Sequence, residues 1–186
     1  MDERDRKIIS FLQRKGKAKL SEIAREVGIS VMGVKKRLDK LERFVKFKPL
    51  IDVEKLGIIV AIVAMEVESS EALENILKKF ERCPRILKFF VTTGSYNLFA
   101  LIFAEDYHSL ESVSLERCSL RSQPGIGRFD IYPVQEIHYD SYMDLKVVAD
   151  KVDDFAPCGV FCGECRRYEM RRCLGCPSTK FYRGKL

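Results

Sequence analysis

The sequence predicts an α+β protein in three parts: a winged helix-turn-helix head, a βαββαβ layer and a small cysteine-rich tail. Three observations carry this reading. Apolar residues recur at helical spacing through the first 45 residues, and two of the helices there are parted only by Gly28-Ile29-Ser30. From Ile58 to His138 the pattern runs strand, helix, strand, strand, helix, strand. Five of the seven cysteines fall between Cys158 and Cys176.

In the head, Asp2 is placed to cap a first helix with the stripe Ile8, Ile9 and Leu12, ended by Gly16. Leu20, Ile23, Ala24 and Val27 form the stripe of a second helix, stopped by Gly28. Ser30 caps a third, with Val34, Leu38 and Leu41 inward and Lys35, Lys36, Arg37 and Lys40 outward. Two short helices joined by a tight glycine turn, the second basic on its outer face, read as a helix-turn-helix. Arg43 to Asp52 is β-like and reads as a wing or as a strand leading to the next domain.

Residues 53–142 then form the second domain. Its strands are expected over 58–67, 85–93, 97–104 and 128–138. One helix follows Ser70 as cap and closes at Pro84; a weaker one spans 107–120. Gly94-Ser95-Tyr96 reads as a hairpin turn. This order implies a ferredoxin-like layer of helices on an antiparallel sheet. Residues 143–157 read as a linker with a short helix near 142–148, and 158–186 as the tail.

Composition excludes several classes. Hydrophobic residues make up 46% of the 186, so the chain can build a core. The longest uncharged apolar run, Leu56 to Met65, is far too short to span a membrane. The charged start Met1-Asp2-Glu3-Arg4 is no secretory signal, which points to the cytoplasm and to reduced thiols. Charge is uneven: net +8 over residues 1–49, −6 over 50–150 and +4 over 151–186. A basic head on an acidic body suits a polyanionic partner.

The head therefore suggests duplex DNA. A recognition helix puts short or adaptable residues at the base edges and basic ones at phosphate. Met32, Gly33 and Lys36, near Ser30 and Lys35, are assigned to the base edges and their surroundings. Arg37, Lys40, Arg43 and Lys46 are assigned to phosphate. In the body, Gly94 with Tyr96 and Asn97 forms a candidate effector site, because glycine allows close approach and Asn97 both donates and accepts.

The tail carries the spacing Cys158-x3-Cys162-x2-Cys165-x7-Cys173-x2-Cys176. Two C-x-x-C pairs can grip one metal from two sides, and Arg166, Arg167, Arg171 and Arg172 favour thiolates nearby. Zn²⁺ on Cys162, Cys165, Cys173 and Cys176 is the first expectation. An iron–sulfur cluster, with Cys158 as a substitute ligand, is the second. So short and polar a tail is expected to draw its folding energy from the metal. Cys83 and Cys118, at the ends of antiparallel helices, are expected at opposite edges of the layer as apolar fillers.

Residues 1–142 resemble the Lrp/AsnC, or feast/famine, transcription regulators. The head carries this through Asp2-Glu3-Arg4-Asp5-Arg6-Lys7-Ile8-Ile9, Glu22-Ile23-Ala24, Val27-Gly28-Ile29-Ser30 and Val34-Lys35-Lys36-Arg37-Leu38. The body carries it through Asp52-Val53-Glu54-Lys55-Leu56-Gly57 and Thr93-Gly94-Ser95-Tyr96-Asn97-Leu98. The resemblance implies a DNA-binding regulator, not an enzyme, that forms dimers or larger homo-oligomers. It also implies an amino acid or related small molecule bound near the Gly94 turn, at subunit interfaces. Asn97 stands where the family often has aspartate, and residues 143–186 lie outside the pattern.

An enzyme is the alternative. Siroheme decarboxylase subunits share this architecture, and some carry a stretch like Tyr96-Asn97-Leu98. Such an enzyme wants a histidine near the macrocycle, and the chain has only His108 and His138. No nucleophile–base pair is readable, and Gly125-Ile126-Gly127 lacks the third glycine of a nucleotide loop.

Overall fold

A computed structural model describes residues 1–186. The chain divides into two compact units, Met1–Lys48 and Pro49–Leu186.

The first unit is three helices: α1 (Glu3–Lys15), α2 (Leu20–Val27) and α3 (Val31–Leu41). Local chemistry sets their ends. Asp2 accepts from the Asp5 N–H and Asp5 accepts from the Asp2 N–H, a reciprocal cap that satisfies two orphan donors. Gly28 closes α2 in the left-handed region at φ 71°. Ser30 caps α3 by accepting from the Gly33 N–H at 3.0 Å. Ile8, Phe11, Ile23, Ala24, Val34 and Leu41 form the buried core. Too small a core for much redundancy, it is reinforced by an ion pair. Arg37 on α3 reaches Asp2 and the fully buried Asp5 of α1, each at 2.6 Å. No strand forms before Ile51, so the β-like stretch after α3 builds no wing; Phe44, Phe47 and Leu50 are exposed there instead of pairing.

The second unit is built on a four-stranded antiparallel sheet of β2 (Ile59–Val67), β3 (Ile86–Val91), β4 (Leu98–Ala104) and β5 (Ile126–Pro133), in the order β3-β4-β2-β5. Helices α4 (Ser70–Phe80) and α5 (Tyr107–Leu115) complete βαββαβ. Ser69, not Ser70, caps α4, through the Ala72 N–H. One sheet face buries Ala61, Val63, Met65, Leu98, Ala100 and Ile102 against Ile76, Phe80 and Leu110 of the helices. On the other, Ile62, Phe90 and Tyr132 are exposed. β1 (Ile51–Asp52) pairs with β6 (Tyr142–Met143) where a short helix was expected.

The tail is not a separate module. Ala156 and Cys158 are buried in the main core, with Val160 and Cys176 packed on it, and Leu145 lies in a further cluster with Val60 and Phe103. The tail holds only α6 (Arg166–Glu169) and a preceding 3₁₀ turn. It nevertheless has an apolar centre of its own. Phe161 packs against Phe155 and Phe181, Phe181 against Tyr168, and Arg183 stacks 3.8 Å from the Tyr168 ring. Aromatic rings supply large contact areas per residue, so a segment judged polar by composition docks without relying on metal alone.

Candidate functional site

Three sites are expected from sequence. The first is the exposed side of α3. Lys35, Lys36, Lys40, Arg43 and Lys46 are all exposed. Lys7, Arg14 and Arg37 of this unit form ion pairs, and none of those five cations does. Met32 is 73% exposed beside the Ser30 cap, so an adaptable apolar side chain stands at the start of the basic face. Arg37 departs from expectation. Its Nη1 is held by Asp2 and Asp5, which makes it a clamp between α1 and α3 rather than a free phosphate contact.

This clamp is acid-sensitive. The hydrogen bond from Arg37 is the largest influence holding the Asp2 carboxyl down to about 2. The backbone N–H of Asp2, followed by Arg37, lowers that of Asp5. A depressed carboxylate stabilises the fold fully above its ordinary value, near 3.8, and that contribution is lost as pH falls toward 2. Carboxyl carbon shifts of the full chain are expected to titrate at Asp2 near 2. In an Arg37→Met variant they should return toward the ordinary value.

The second site is the turn from Gly94 to Asn97. Asn97 Oδ1 accepts from the Val67 N–H and its Nδ2 donates to the Val67 carbonyl, both at 2.8 Å. The side chain thus extends the strand ladder, and both its polar functions are engaged. An aspartate could not donate the second bond, which explains the amide at this position. The Tyr96 hydroxyl donates to Asp130 on β5, and Thr92 Oγ1 donates to the Tyr96 carbonyl at 2.7 Å. A Cβ added at Gly94 would stand in ordinary contact, 3.7 Å from the Tyr96 carbonyl oxygen.

The third is a cavity of about 580 Å³ within the second unit. All seven cysteines line it. Cys83 and Cys118 were expected at opposite edges of the layer. Both line this cavity: α5 stops at Leu115, and Cys118 lies in the turns that follow, not at a helix end. Phe80, Ile86, Ile102 and Leu120 supply apolar wall. Burial, the largest influence on each, pushes the thiols of Cys83, Cys118 and Cys162 up, and that of Cys176 up to about 12. No three His, Cys, Asp or Glu side chains anywhere in the chain are gathered closely enough for one metal ion. The two C-x-x-C pairs share this cavity.

Sequence reading missed the polar contacts that join tail to sheet layer. Arg85 donates from Nη1 to Glu105 at 2.6 Å and from Nη2 to the Gly175 carbonyl at 2.8 Å. Tyr182 donates to the other Glu105 oxygen at 2.6 Å. Arg167 does not face the thiols: it pairs with Glu111 and donates to Ser112 Oγ at 2.7 Å. His108 and His138, considered for an enzyme, are both exposed.

A helix-turn-helix with an exposed basic helix, carried in one chain with a βαββαβ unit, is the make-up of a DNA-binding regulator. Comparison with known proteins agrees. A family model for the AsnC-type helix-turn-helix domain matches residues 1–42, and one for the Lrp/AsnC ligand binding domain matches residues 60–144. An uncharacterised HTH-type transcriptional regulator of Pyrococcus abyssi is 30% identical over 121 residues, 63% of this chain and 76% of that protein. Regulatory protein AsnC of Haemophilus influenzae is 26% identical over 124 residues, 64% of this chain and 83% of its own. Escherichia coli AsnC shares the fold at TM-score 0.66 and 18% identity, over 75% of this chain and 95% of that one. A Neisseria meningitidis regulator solved with L-Met does so at 0.67 and 23%, over 75% and 94%. The chain belongs to the Lrp/AsnC family of DNA-binding transcription regulators. Its last 42 residues, 145–186, lie beyond both matched segments. No helix is long and apolar enough to cross a membrane.

Proposed function

We propose that the chain binds a pseudo-palindromic operator as a dimer, inserting α3 of each copy into successive major grooves about one helical turn apart. The carrying observation is the exposed, ion-pair-free set of Lys35, Lys36, Lys40, Arg43 and Lys46 around a capped helix start. Lys36, with Met32, Gly33 and the Ser30 turn, is assigned to base edges. Lys35, Lys40, Arg43 and Lys46 are assigned to phosphate. Arg37 serves by holding α3 against α1. Dimerisation is supported by the open sheet face, where Ile62, Phe90 and Tyr132 are 42%, 52% and 54% exposed.

A small-molecule effector of the amino-acid class is assigned to the Gly94–Asn97 turn. The L-Met complex of the Neisseria relative supports that class. With the Asn97 amide and Tyr96 hydroxyl already paired, recognition there falls to backbone groups of the turn.

Selection of bound fragments from random duplex DNA tests the reading. Binding should fall steeply with salt, because each neutralised phosphate releases counterion. Lys40→Ala should weaken binding to all sequences alike and lower the log–log salt slope by about 0.9. Met32→Ala should change the selected sequence and leave that slope unaltered. A salt-independent isotherm would overturn the assignment.

A further inference from the structure

The tail cysteines end in a place that sequence spacing does not suggest. Cys83 and Cys118, from turns of the sheet layer, line the same cavity as the five tail thiols. Cys118 stands within electrostatic reach of Cys158, Cys162 and Cys173, and Cys83 within reach of Cys158 and Cys176. All seven are free cysteines. Seven sulfurs around one void exceed what a single ion can use.

Spacing separates the two ligand chemistries. Tetrahedral zinc draws four sulfurs to bonds of about 2.3 Å, which puts them within about 4 Å of one another. No group of three His, Cys, Asp or Glu side chains in the chain is arranged to hold a single metal ion. An iron–sulfur cluster carries its thiolates on the outside, one per bound iron, so its ligands stand apart around a body of several atoms. Seven cysteines around a cavity of about 580 Å³ offer a body of several atoms both room and ligands.

The walls suit the same group. The backbone at Cys176 and at Ser178 favours negative charge on the Cys162 and Cys176 sulfurs, as a cluster's ligands require. The buried Arg85 lines the cavity, electrostatically coupled to Cys173 and Cys176, and adds positive charge beside it. Phe80, Ile86, Ile102 and Leu120 keep water from the inner side.

We propose that this cavity binds an iron–sulfur cluster on Cys162, Cys165, Cys173 and Cys176, with Cys83, Cys118 and Cys158 completing its wall. One prosthetic group then joins the tail to the sensor domain. Loss of the cluster would loosen that junction, which gives the regulator an input responsive to oxygen or iron, separate from the Gly94 turn. The site stands apart from the DNA-binding reading, because metal content is measured without DNA.

The test uses the full chain, purified without oxygen from iron-fed cells, and measures iron, acid-labile sulfide, zinc and the visible spectrum. Iron and sulfide in matching amounts, several per chain, with a broad visible band are expected. Zinc at one per chain without iron or sulfide would overturn the proposal, as would protein lacking all three. Cys162→Ser with Cys176→Ser should lose iron and sulfide; retention would overturn the ligand set. Cys83→Ala with Cys118→Ala leaves all four ligands in place and should bleach in air about ten-fold faster. Unchanged bleaching would remove the sheet layer from the site. Should the serine variant fail to fold, the analysis of the unmodified chain still decides between cluster and zinc.

Discussion

Arg85→Ala is expected to destabilise the second unit by about 3–5 kcal/mol, the cost of breaking a buried ion pair from one side. The Arg85 and Glu105 side chains are only 7% and 2% exposed, and their charged atoms lie 2.6 Å apart. Without the guanidinium, Glu105 keeps a carboxylate that water cannot reach, with Tyr182 as its remaining partner. The Gly175 carbonyl also loses its donor. Arg85→Met with Glu105→Leu removes both charges together and should cost much less, since no uncompensated charge stays behind. Urea unfolding of the full chain, followed by resolved amide signals, is the measurement. The transition of residues 49–186 should shift and that of residues 1–48 should not. Equal losses in the single and double variants would show that packing, not charge, makes this junction.

The head was legible because its signals are local. Caps act over three residues and apolar stripes over one or two turns, so Asp2, Gly28 and Ser30 announce the helices they bound. The sheet was legible for the same reason, with β-branched and aromatic runs punctuated by turns. What resisted reading acts across long separations. Arg37 lies on the basic side of its helix, and nothing local distinguishes it from Lys36. Only the fold sets it against Asp2 and Asp5, more than 30 residues away. The weak pattern of α5 has a similar cause. Ser109 and Ser112 are fully buried, because the tail packs there and hydrogen-bonds through Leu174 and Arg172. A helix face covered by a later segment needs small polar groups, and its apolar stripe fades. The cysteine spacing showed which residues could bind metal. It could not show that Cys83 and Cys118 would join them.

Gly175→Val is expected to undock the tail, at a cost of about 3–6 kcal/mol from two additive causes. The first is backbone conformation. Gly175 sits at φ 82°, where a non-glycine residue costs about 1–3 kcal/mol and a β-branched one the upper part of that range. The second is contact. A Cβ on Gly175 would stand 2.7 Å from the Phe181 carbonyl oxygen, a backbone atom that cannot swing aside, and overpacking of this kind costs about 1–3 kcal/mol. Gly159 separates the two. It has nearly the same φ, 83°, but an added Cβ meets nothing within 4 Å. Gly159→Val should therefore carry the conformational cost alone. The difference between the variants measures the contact of the Cys173–Cys176 turn with the strand of chain that passes Phe181. Limited proteolysis and amide exchange over residues 153–186 are the readouts. Gly175→Val should expose that segment while protection of β2 and β4 persists, and Gly159→Val should expose it much less. Equal exposure in both would mean that backbone strain alone controls docking. No exposure in either would mean that the tail is anchored by its aromatic cluster and the Arg85 junction strongly enough to absorb a distorted cysteine turn.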